Sequence, residues 1–150
     1  MSEDKQALIH HFQQMRRDLL AAIDGLTDDQ LAEPTLDGWS VRDHLAHLAQ
    51  WDDLRESEIV RISAGFDSAW RMTEEQTVAL SDLAHTLRKG LSLAQVRWEL
   101  AASHQRLLAA LSAVTGRGLD ASLYGEAALP STHEAEHTTW IKRWRATRGI

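Results

Sequence analysis

Cysteine is absent from this 150-residue chain, and proline occurs only twice. Without cysteine the protein has no disulfide bridge, no cysteine-ligated zinc site and no thiol nucleophile of its own. If the protein carries out thiol chemistry, the thiol therefore comes from a small cosubstrate. The two prolines, Pro34 and Pro130, both fall at boundaries between helical patterns, so neither interrupts a predicted helix.

The chain also lacks a basic excess and a long apolar run. Its formal net charge is −6, whereas proteins that bind a nucleic-acid backbone usually carry a strong positive excess. No segment is apolar over a membrane-spanning length, and the N-terminal stretch MSEDKQ has no apolar core of a signal peptide. We therefore expect a cytoplasmic protein without nucleic-acid or membrane partners, folded as a single domain over residues 1–150.

Apolar residues recur at three- and four-residue intervals through most of the chain, which predicts amphipathic helices. The predicted helices cover residues 4–24, 40–65, 73–88, 92–116 and 131–145, and residues 27–32 add one helical turn. The segments 66–73 and 116–130 are expected to be loops. No segment shows the alternation that is typical of a strand. The sequence therefore predicts an all-α protein, a four-helix bundle with one shorter additional helix.

Two of the eight histidines stand four residues apart in the segment HEAEH, at His133 and His137. In a helix such residues lie one above the other on the same face, so a single divalent ion can bridge them. Both begin the apolar stripe of the last predicted helix, and metal sites in bundles are built from inward-facing side chains. A third ligand and an open position would make the site reactive. Spacing alone leaves a hydrogen-bonded core pair as an equal alternative.

The same segment matches HExxH, the zinc-protease signature in which the glutamate acts as general base. Those enzymes usually take a third ligand downstream, but the thirteen residues after His137 contain no histidine, aspartate or glutamate. Glu134 also stands three residues after Ser131, where it would close a capping box. We therefore favour capping over catalysis for Glu134, and keep metal-dependent hydrolysis with Glu134 as base as an alternative.

A third ligand has to come from upstream. The candidates on apolar or nearly apolar helix faces are His11, His44, His47 and His104. A helical wheel of residues 40–65 places His44 well inside the apolar stripe and His47 at its edge, beside Trp51. Periodicity leans slightly toward His44 and does not decide between the two.

Two segments together resemble the DinB/YfiT-like superfamily of helical-bundle metalloenzymes: GWSVRDHLAHLAQWDD, and HEAEHTTWIKRWR near the C-terminus. The family's helix opening is G-W-[ST]-h-x-[DE]-x-h-x-H-h, with h an apolar residue. It is matched at Gly38, Trp39, Ser40, Val41 and Asp43. By this alignment the family's first metal histidine falls on His47, and its final-helix H-x-x-x-H falls on His133 and His137.

The resemblance implies a four-helix bundle with a three-histidine site for a divalent ion, zinc or nickel, completed by water. Some members are thiol-dependent S-transferases or isomerases that use mycothiol, bacillithiol or glutathione, and maleylpyruvate isomerase is one of them. Metal-dependent transfer of a small thiol, or a related reaction on a small-molecule substrate, is therefore the expected activity. Three neutral imidazoles leave the full charge on the ion, which strongly acidifies a bound thiol or water.

Further residues are candidates around such a site. Three tryptophans would wall a pocket: Trp39, Trp51 and Trp140. Core packing is the usual role of tryptophan, so we expect most of the six to be buried or to line a pocket. Arg143 would bind a substrate carboxylate, with a solvated charge near the helix C-terminus as the simpler alternative. Asp43 or Asp52 would orient a ligand imidazole. The simpler expectations are a helix-start charge for Asp43 and a solvated surface position for Asp52.

A non-catalytic bundle is a separate alternative, in which the histidines belong to the core. The protein would then act as a binding or dimerisation module, fold tightly without metal, and change little when His133 is replaced by glutamine. Bundles of this size often pair through a helix face, so a homodimer is compatible with either function.

Overall fold

The computed structural model describes residues 3–125, 127 and 129–150, and that part of the chain contains six α-helices. They are α1 (Glu3–Ile23), α2 (Asp28–Ala32), α3 (Val41–Ser63), α4 (Glu74–Arg88), α5 (Leu93–Ser112) and α6 (His133–Arg148). The predicted loop 116–130 contains two 3₁₀ turns, Arg117–Leu119 and Ala121–Leu123, while its residues 126 and 128 lie outside the described part. The all-α prediction is confirmed.

The long helices form the predicted bundle. α3 packs along α5 and α1 packs along α6, while contacts of α1 with α5 and of α3 with α6 close the four-helix arrangement. α4 lies against α3 outside this arrangement and is the shorter additional helix, and α2 also packs on α3. Among the helices of the described residues, none is long and apolar enough to cross a membrane.

Two layers of buried apolar side chains form the core, one toward each end of the bundle. The first joins the C-terminal half of α1 to the N-terminal halves of α3 and α5, through residues such as Leu19, Leu45 and Leu100. The second joins the N-terminal half of α1 to the C-terminal halves of α3 and α5, with Ile59 and Leu107 among its members. The periodic stripes of the sequence supply both layers, because side chains three and four residues apart share one face of a helix.

A charged layer lies between these two apolar layers. Arg16 of α1 is 5% exposed and donates to Asp52 Oδ2 of α3 at 2.8 Å and to the two carboxylate oxygens of Glu134 of α6 at 2.8 and 3.1 Å. It also donates to the Leu100 carbonyl of α5 at 2.9 Å, and the Ser103 hydroxyl donates to Asp52 Oδ2 at 2.8 Å. Burial acts to lower the pKa of Arg16, but the two carboxylates outweigh it and raise that pKa. One side chain therefore joins four helices.

Two expectations from the sequence are wrong in this layer. Asp52, expected at a solvated surface, is only 4% exposed. Glu134, expected to cap the last helix together with Ser131, is bonded to Arg16 instead. α6 begins at His133 without a side-chain cap, and the Ser131 hydroxyl accepts the His133 N–H at 3.2 Å. The physical reason is that burying a carboxylate without a cation costs more free energy than losing a helix cap, so Glu134 pairs with Arg16.

The turn before α3 has the predicted capping box. The Ser40 hydroxyl accepts the Asp43 N–H at 3.0 Å, and the Asp43 carboxylate accepts the Ser40 N–H at 3.0 Å. Asp43 therefore has the expected role at the helix start. Gly38 precedes this box with a φ of 88°, a conformation that favours glycine. The turn brings Asp37 and Trp39 to the beginning of α3, where both contact histidines of that helix.

Two helix ends differ from the predictions. α5 ends at Ser112 rather than near Gly116, because the chain then docks on the end of α3, where the Thr115 N–H and hydroxyl donate to the Ser63 hydroxyl and carbonyl. α6 continues past its predicted end to Arg148. The end of α5 could not be predicted from local periodicity, because it depends on a contact between Thr115 and Ser63, which are 52 residues apart.

Tryptophan burial departs in part from expectation. Trp51, Trp70 and Trp144 are buried, with exposed fractions of 9, 5 and 2%. Trp98 of α5 is 66% exposed and is an exception to the expected burial, whereas Trp140 of α6 is 48% exposed and lines a surface cleft, as expected of a residue in a pocket wall. Trp140 also lies beside the histidine cluster described below, whereas Trp98 does not contact it among the ring contacts of the described residues.

Candidate metal centre

Three histidines converge between α3 and α6. His47 lies in α3, and His133 and His137 lie on one face of α6. The Nε2 atoms of His47 and His133 are 3.3 Å apart, and those of His133 and His137 are 3.1 Å apart. One ligand nitrogen from each ring lies within 4.8 Å of the others. The structure therefore brings together the three residues that the resemblance assigned as ligands.

The spacing of these nitrogens fits a tetrahedral ion. Zinc binds an imidazole nitrogen at about 2.0–2.1 Å, so two ligands at a tetrahedral angle stand about 3.3–3.4 Å apart. The two observed separations, 3.3 and 3.1 Å, are close to that distance. Three protein ligands leave one position for water or substrate, which is the pattern of catalytic rather than structural zinc sites. The residues present therefore fit the divalent ion that the resemblance implies.

Burial keeps the three imidazoles neutral. Burial and the neighbouring imidazoles lower the pKa of His47 to about 3 and that of His137 to about 2. Burial, followed by the Arg55 guanidinium, lowers the pKa of His133 to about 4. A neutral imidazole offers the lone pair that a metal ion needs. At neutral pH the three rings are thus ready to bind an ion without first losing a proton.

We expect the metal-free protein to lose free energy of unfolding as the medium becomes acidic. Unfolded histidines titrate near a pKa of about 6.5, whereas these three stay neutral in the folded chain down to about pH 4 or below. Between those values the unfolded state binds more protons, so acid favours unfolding and stability rises with pH. Each such histidine contributes up to about 1.4 kcal/mol per pH unit in this window. Urea denaturation at a series of pH values measures the slope.

Matched variants separate the cluster from other histidines in this experiment. His137→Gln removes one buried imidazole and lowers the slope, whereas His10→Gln replaces an exposed histidine of α1 and leaves it unchanged. Saturating zinc should raise the stability by a nearly constant amount across this window, because the ion binds deprotonated rings and the folded rings are already neutral there. A flat stability profile across the same pH window would contradict a neutral, buried cluster.

His44, the alternative third ligand, lies behind His137 rather than among the converging nitrogens. Its Nδ1 is 2.7 Å from His137 Nδ1, the nitrogen on the other side of that ring from the cluster. Its Nε2 is 3.3 Å from Asp37 Oδ1 and 3.2 Å from Asp37 Oδ2. Burial lowers the pKa of His44, although Asp37 opposes the change. The carboxylate that contacts a histidine beside the site is therefore Asp37, which the sequence did not single out, and not Asp43 or Asp52.

The two remaining candidate ligands lie elsewhere in the bundle. His11 Nε2 is 2.7 Å from the Ser131 carbonyl and so contacts the segment that leads into α6. His104 lines a cleft between α1 and α5, together with Arg16. Neither belongs to the group of histidines with metal-like spacing.

Indole rings surround the cluster as the sequence analysis expected. The ring centroid of Trp39 is 5.4 Å from that of His47, and Trp51 is 5.2 Å from His133. Trp140 lies 5.8 Å from His137. Trp70, one of the six tryptophans but not one of the three assigned to the pocket wall, packs against Trp51 with centroids 4.3 Å apart. The sequence gives one indication for Trp70: it stands in a loop, where a tryptophan stays buried only if other residues hold the loop in place.

That anchor is a buried glutamate of α3. Glu58 is 2% exposed and accepts the Ala69 N–H at 3.0 Å, and it also accepts the Ser68 hydroxyl. Gly125 lies against the same segment, where a Cβ atom would stand only 2.1 Å from the Trp70 carbonyl oxygen. The loop is thus held from both sides, and it supports the indole of Trp51 next to the cluster.

Arg143 lines an open cleft beside the site. This cavity of about 180 Å³ is formed with Trp140 and with the turn that carries Asp37. Glu134, in contrast, has both carboxylate oxygens bonded to Arg16. A cavity of about 10 Å³ adjoins Glu134 and His133, which is room for at most about one water molecule.

We expect metal binding to alter the indole N–H of Trp51. This N–H donates to His47 Nδ1 at 3.3 Å, so in the metal-free protein the proton of that imidazole is on Nε2. When Nε2 binds an ion, the proton moves to Nδ1, which then no longer accepts a hydrogen bond. Zinc should therefore shift the Trp51 indole cross-peak upfield in a ¹H–¹⁵N spectrum, with saturation at one equivalent.

Trp51→Phe assigns that cross-peak, and the exposed Trp98 serves as an internal control whose cross-peak stays in place. If the chemical shift of the Trp51 indole N–H does not change with zinc, in a sample shown to contain the ion, His47 does not bind through Nε2.

The fold and the histidine cluster together define an all-α bundle with a candidate site for a divalent ion. Residues 11–141 match the profile of the DinB superfamily, and the chain belongs to that superfamily. The resemblance recognised in the two motifs is thus confirmed. A crystal structure of an uncharacterised protein from Escherichia coli UTI89 has a similar fold, with a TM-score of 0.77 and 16% identity over 100% of this chain and 97% of that chain. No curated protein matches the chain.

Proposed function

We propose that the protein binds one divalent ion, zinc or nickel, through His47, His133 and His137, and uses it in a reaction on a small molecule. The convergence of three Nε2 atoms at separations typical of neighbouring tetrahedral ligands carries this proposal. In a bundle whose histidines were only core residues, each buried ring would find its own hydrogen-bond partner. Three rings directed at one point are instead suited to a shared ion.

The reaction that we propose is transfer of a small thiol onto an electrophile, or a related thiol-dependent isomerisation. An ion held by three neutral imidazoles keeps its full charge, and when bound it lowers the pKa of a thiol at the open position. The chain contains no cysteine, so the thiol is a cosubstrate rather than a protein group. The resemblance to thiol-dependent S-transferases and isomerases supports this choice over hydrolysis, and Arg16 already engages the carboxylate of Glu134.

The chain's own residues would hold the electrophile. The indoles of Trp39, Trp51 and Trp140 offer apolar surface around the imidazoles, which is the usual lining of a small-molecule site. Arg143 adds a cationic group in the cleft beside Trp140. A guanidinium recognises carboxylates by paired hydrogen bonds, so a small electrophile with a carboxylate fits this side of the site.

A conjugation assay tests the proposed reaction. Glutathione and 1-chloro-2,4-dinitrobenzene serve as probes, with protein that has been loaded with zinc or nickel and with a metal-free sample. We expect turnover above background only in the loaded protein, and background rates in loaded preparations of His137→Ala. If the loaded protein fails with this pair, and with bacillithiol or mycothiol and carboxylate-bearing electrophiles, thiol transfer is wrong even though the metal site stands.

A further inference from the structure

We propose that Asp37 and His44 act together as a relay that fixes the proton of His137 on Nδ1 and leaves its Nε2 free for the ion. His44 is then a positioning residue and not a ligand. The inference rests on the proposed metal site and adds to it the pair of residues that prepares one of its ligands.

The relay follows from the hydrogen-bonding capacity of its three members. A carboxylate only accepts hydrogen bonds, so the contact of Asp37 with His44 Nε2 places a proton on that nitrogen. A neutral imidazole carries one proton, so His44 Nδ1 has a lone pair. The 2.7 Å contact between His44 Nδ1 and His137 Nδ1 needs one donor, and only His137 can supply it. His137 Nε2 is consequently left with its lone pair.

This lone pair faces the cluster. His137 Nε2 is 3.1 Å from His133 Nε2, on the side of the ring opposite the relay, a separation that suits two lone pairs bound to one ion. Which nitrogen of a ligand histidine carries the proton is set by the hydrogen bond that the other nitrogen makes. With no acceptor at Nδ1, the proton is free to occupy Nε2, and it would have to move before an ion binds. The relay removes that step for His137.

His47 provides the contrast within the same site. Its Nδ1 faces the indole N–H of Trp51, which is a donor, so no acceptor holds a proton there. The metal-free tautomer of His47 therefore differs from that of His137. The relay therefore sets the position of the proton on His137 in α6, whereas the Trp51 indole sets it on His47 in α3.

The surroundings hold the relay in place. Asp37 accepts the Thr35 hydroxyl at 2.9 Å and the Trp39 N–H at 3.0 Å, which fixes its carboxylate in the turn before α3. His44 is 1% exposed, and its ring centroid lies 5.7 Å from that of Trp39 and 6.4 Å from that of Trp140. A polar ring buried to this extent between two indoles is costly unless both of its nitrogens are bonded, as they are here.

Zinc affinity of three variants tests the relay. His44→Leu introduces an apolar side chain of similar size that lacks the acceptor, and we expect it to weaken zinc binding by roughly 10- to 100-fold. His44→Asn places an amide oxygen near the position of Nδ1, and it should recover most of the loss. His10→Leu is the control, since His10 is exposed on α1 away from the three ligands, and it should bind as the wild type does. Competition with a chromophoric chelator measures all three.

A second measurement reads the tautomer directly in zinc-free protein. Long-range ¹H–¹⁵N correlations of ¹⁵N-histidine protein should show His137 protonated on Nδ1 in the wild type and in His44→Asn, and protonated mainly on Nε2 in His44→Leu. A purely structural role for His44 would not change this signature. The measurement needs no bound ion, so it is independent of whether the proposed function holds.

The outcomes are distinguishable. The relay is overturned if His137 carries its proton on Nε2 in the zinc-free wild type, or if His44→Leu binds zinc as tightly as the wild type. It is also overturned if His44→Leu binds no zinc at saturating concentration, because His44 would then be a ligand. Absence of zinc binding by the wild type would instead overturn the proposed function and leave the tautomer result standing.

Discussion

Replacing His137 by glutamine is expected to weaken zinc binding by more than about a hundredfold, and His47→Gln and His133→Gln should show losses of the same order. Loss of a residue that only supports a ligand typically weakens binding by about 10- to 100-fold, so loss of a ligand itself should exceed that range. Each variant leaves two imidazoles, which cannot hold the ion in a three-nitrogen site. Chelator competition, with metal content by plasma mass spectrometry on untagged protein, measures the effect.

The control for these variants is His10→Gln, which changes an exposed histidine of α1 and should bind zinc as the wild type does. The non-catalytic alternative makes the opposite prediction for His133→Gln, because a core histidine has no ion to lose. If neither the wild type nor His133→Gln binds zinc, and both fold equally well without it, a binding or dimerisation module would be favoured.

Replacing Arg16 by methionine is expected to lower the free energy of unfolding by about 3–5 kcal/mol. Methionine fills much of the volume of the side chain, but Asp52 and Glu134 then lose the guanidinium that is hydrogen-bonded to both, and Arg55 remains as a neighbouring positive charge. Breaking a buried ion pair from one side is costly because it leaves uncompensated buried charge. The deficit should shrink as the pH falls from about 7 to about 5, since buried carboxyls without a cation have a raised pKa and take up protons.

An exposed ion pair between α5 and α3, next to Asp52 in the sequence, provides the control. Arg106 donates to Asp53 at 2.8 Å, with side chains that are 50 and 45% exposed. Arg106→Met should change the stability by about 1 kcal/mol or less, because water screens this pair. Urea denaturation of both variants and of the wild type measures the two losses of unfolding free energy. If Arg16→Met were as stable as Arg106→Met, the charged layer would not hold the helices together.

The position of Glu134 links this layer to the candidate metal centre. Glu134 and His133 are adjacent at the start of α6, and one is bonded to Arg16 while the other faces His47. Arg16 therefore helps to fix α6 beside α3, where the ligands of both helices meet. Zinc should raise the free energy of unfolding of Arg16→Met as well as that of the wild type, because an ion that bridges α3 and α6 stabilises the same arrangement.

Periodicity predicted the helices well because each apolar stripe is a local property of the sequence. It also placed His44 more deeply than His47, and His44 is indeed 1% exposed while His47 is only partly buried. Burial and metal binding are different properties, however. His44, the more buried ring, contacts Asp37 and His137, whereas His47, at the edge of the apolar stripe, belongs to the cluster. The choice of His47 therefore came from the resemblance and not from periodicity.

Long-range partners could not be predicted from spacing. Arg16 is 36 residues from Asp52 and 118 from Glu134, so no local pattern joins them. The spacing of Ser131 and Glu134 is typical of a capping box, but the Glu134 carboxylate accepts hydrogen bonds from the buried Arg16 instead. The pair His133 and His137 was predictable because the spacing of an α-helix alone places two such rings on one face.

The most direct test of the central claim is an anomalous difference map from crystals of the zinc-loaded protein at the zinc absorption edge. The account predicts one strong peak between α3 and α6, about 2.0–2.1 Å from the Nε2 atoms of His47, His133 and His137, with a fourth position open to solvent. No peak at this place, or a peak bound by His44 in place of one of these three, would contradict it.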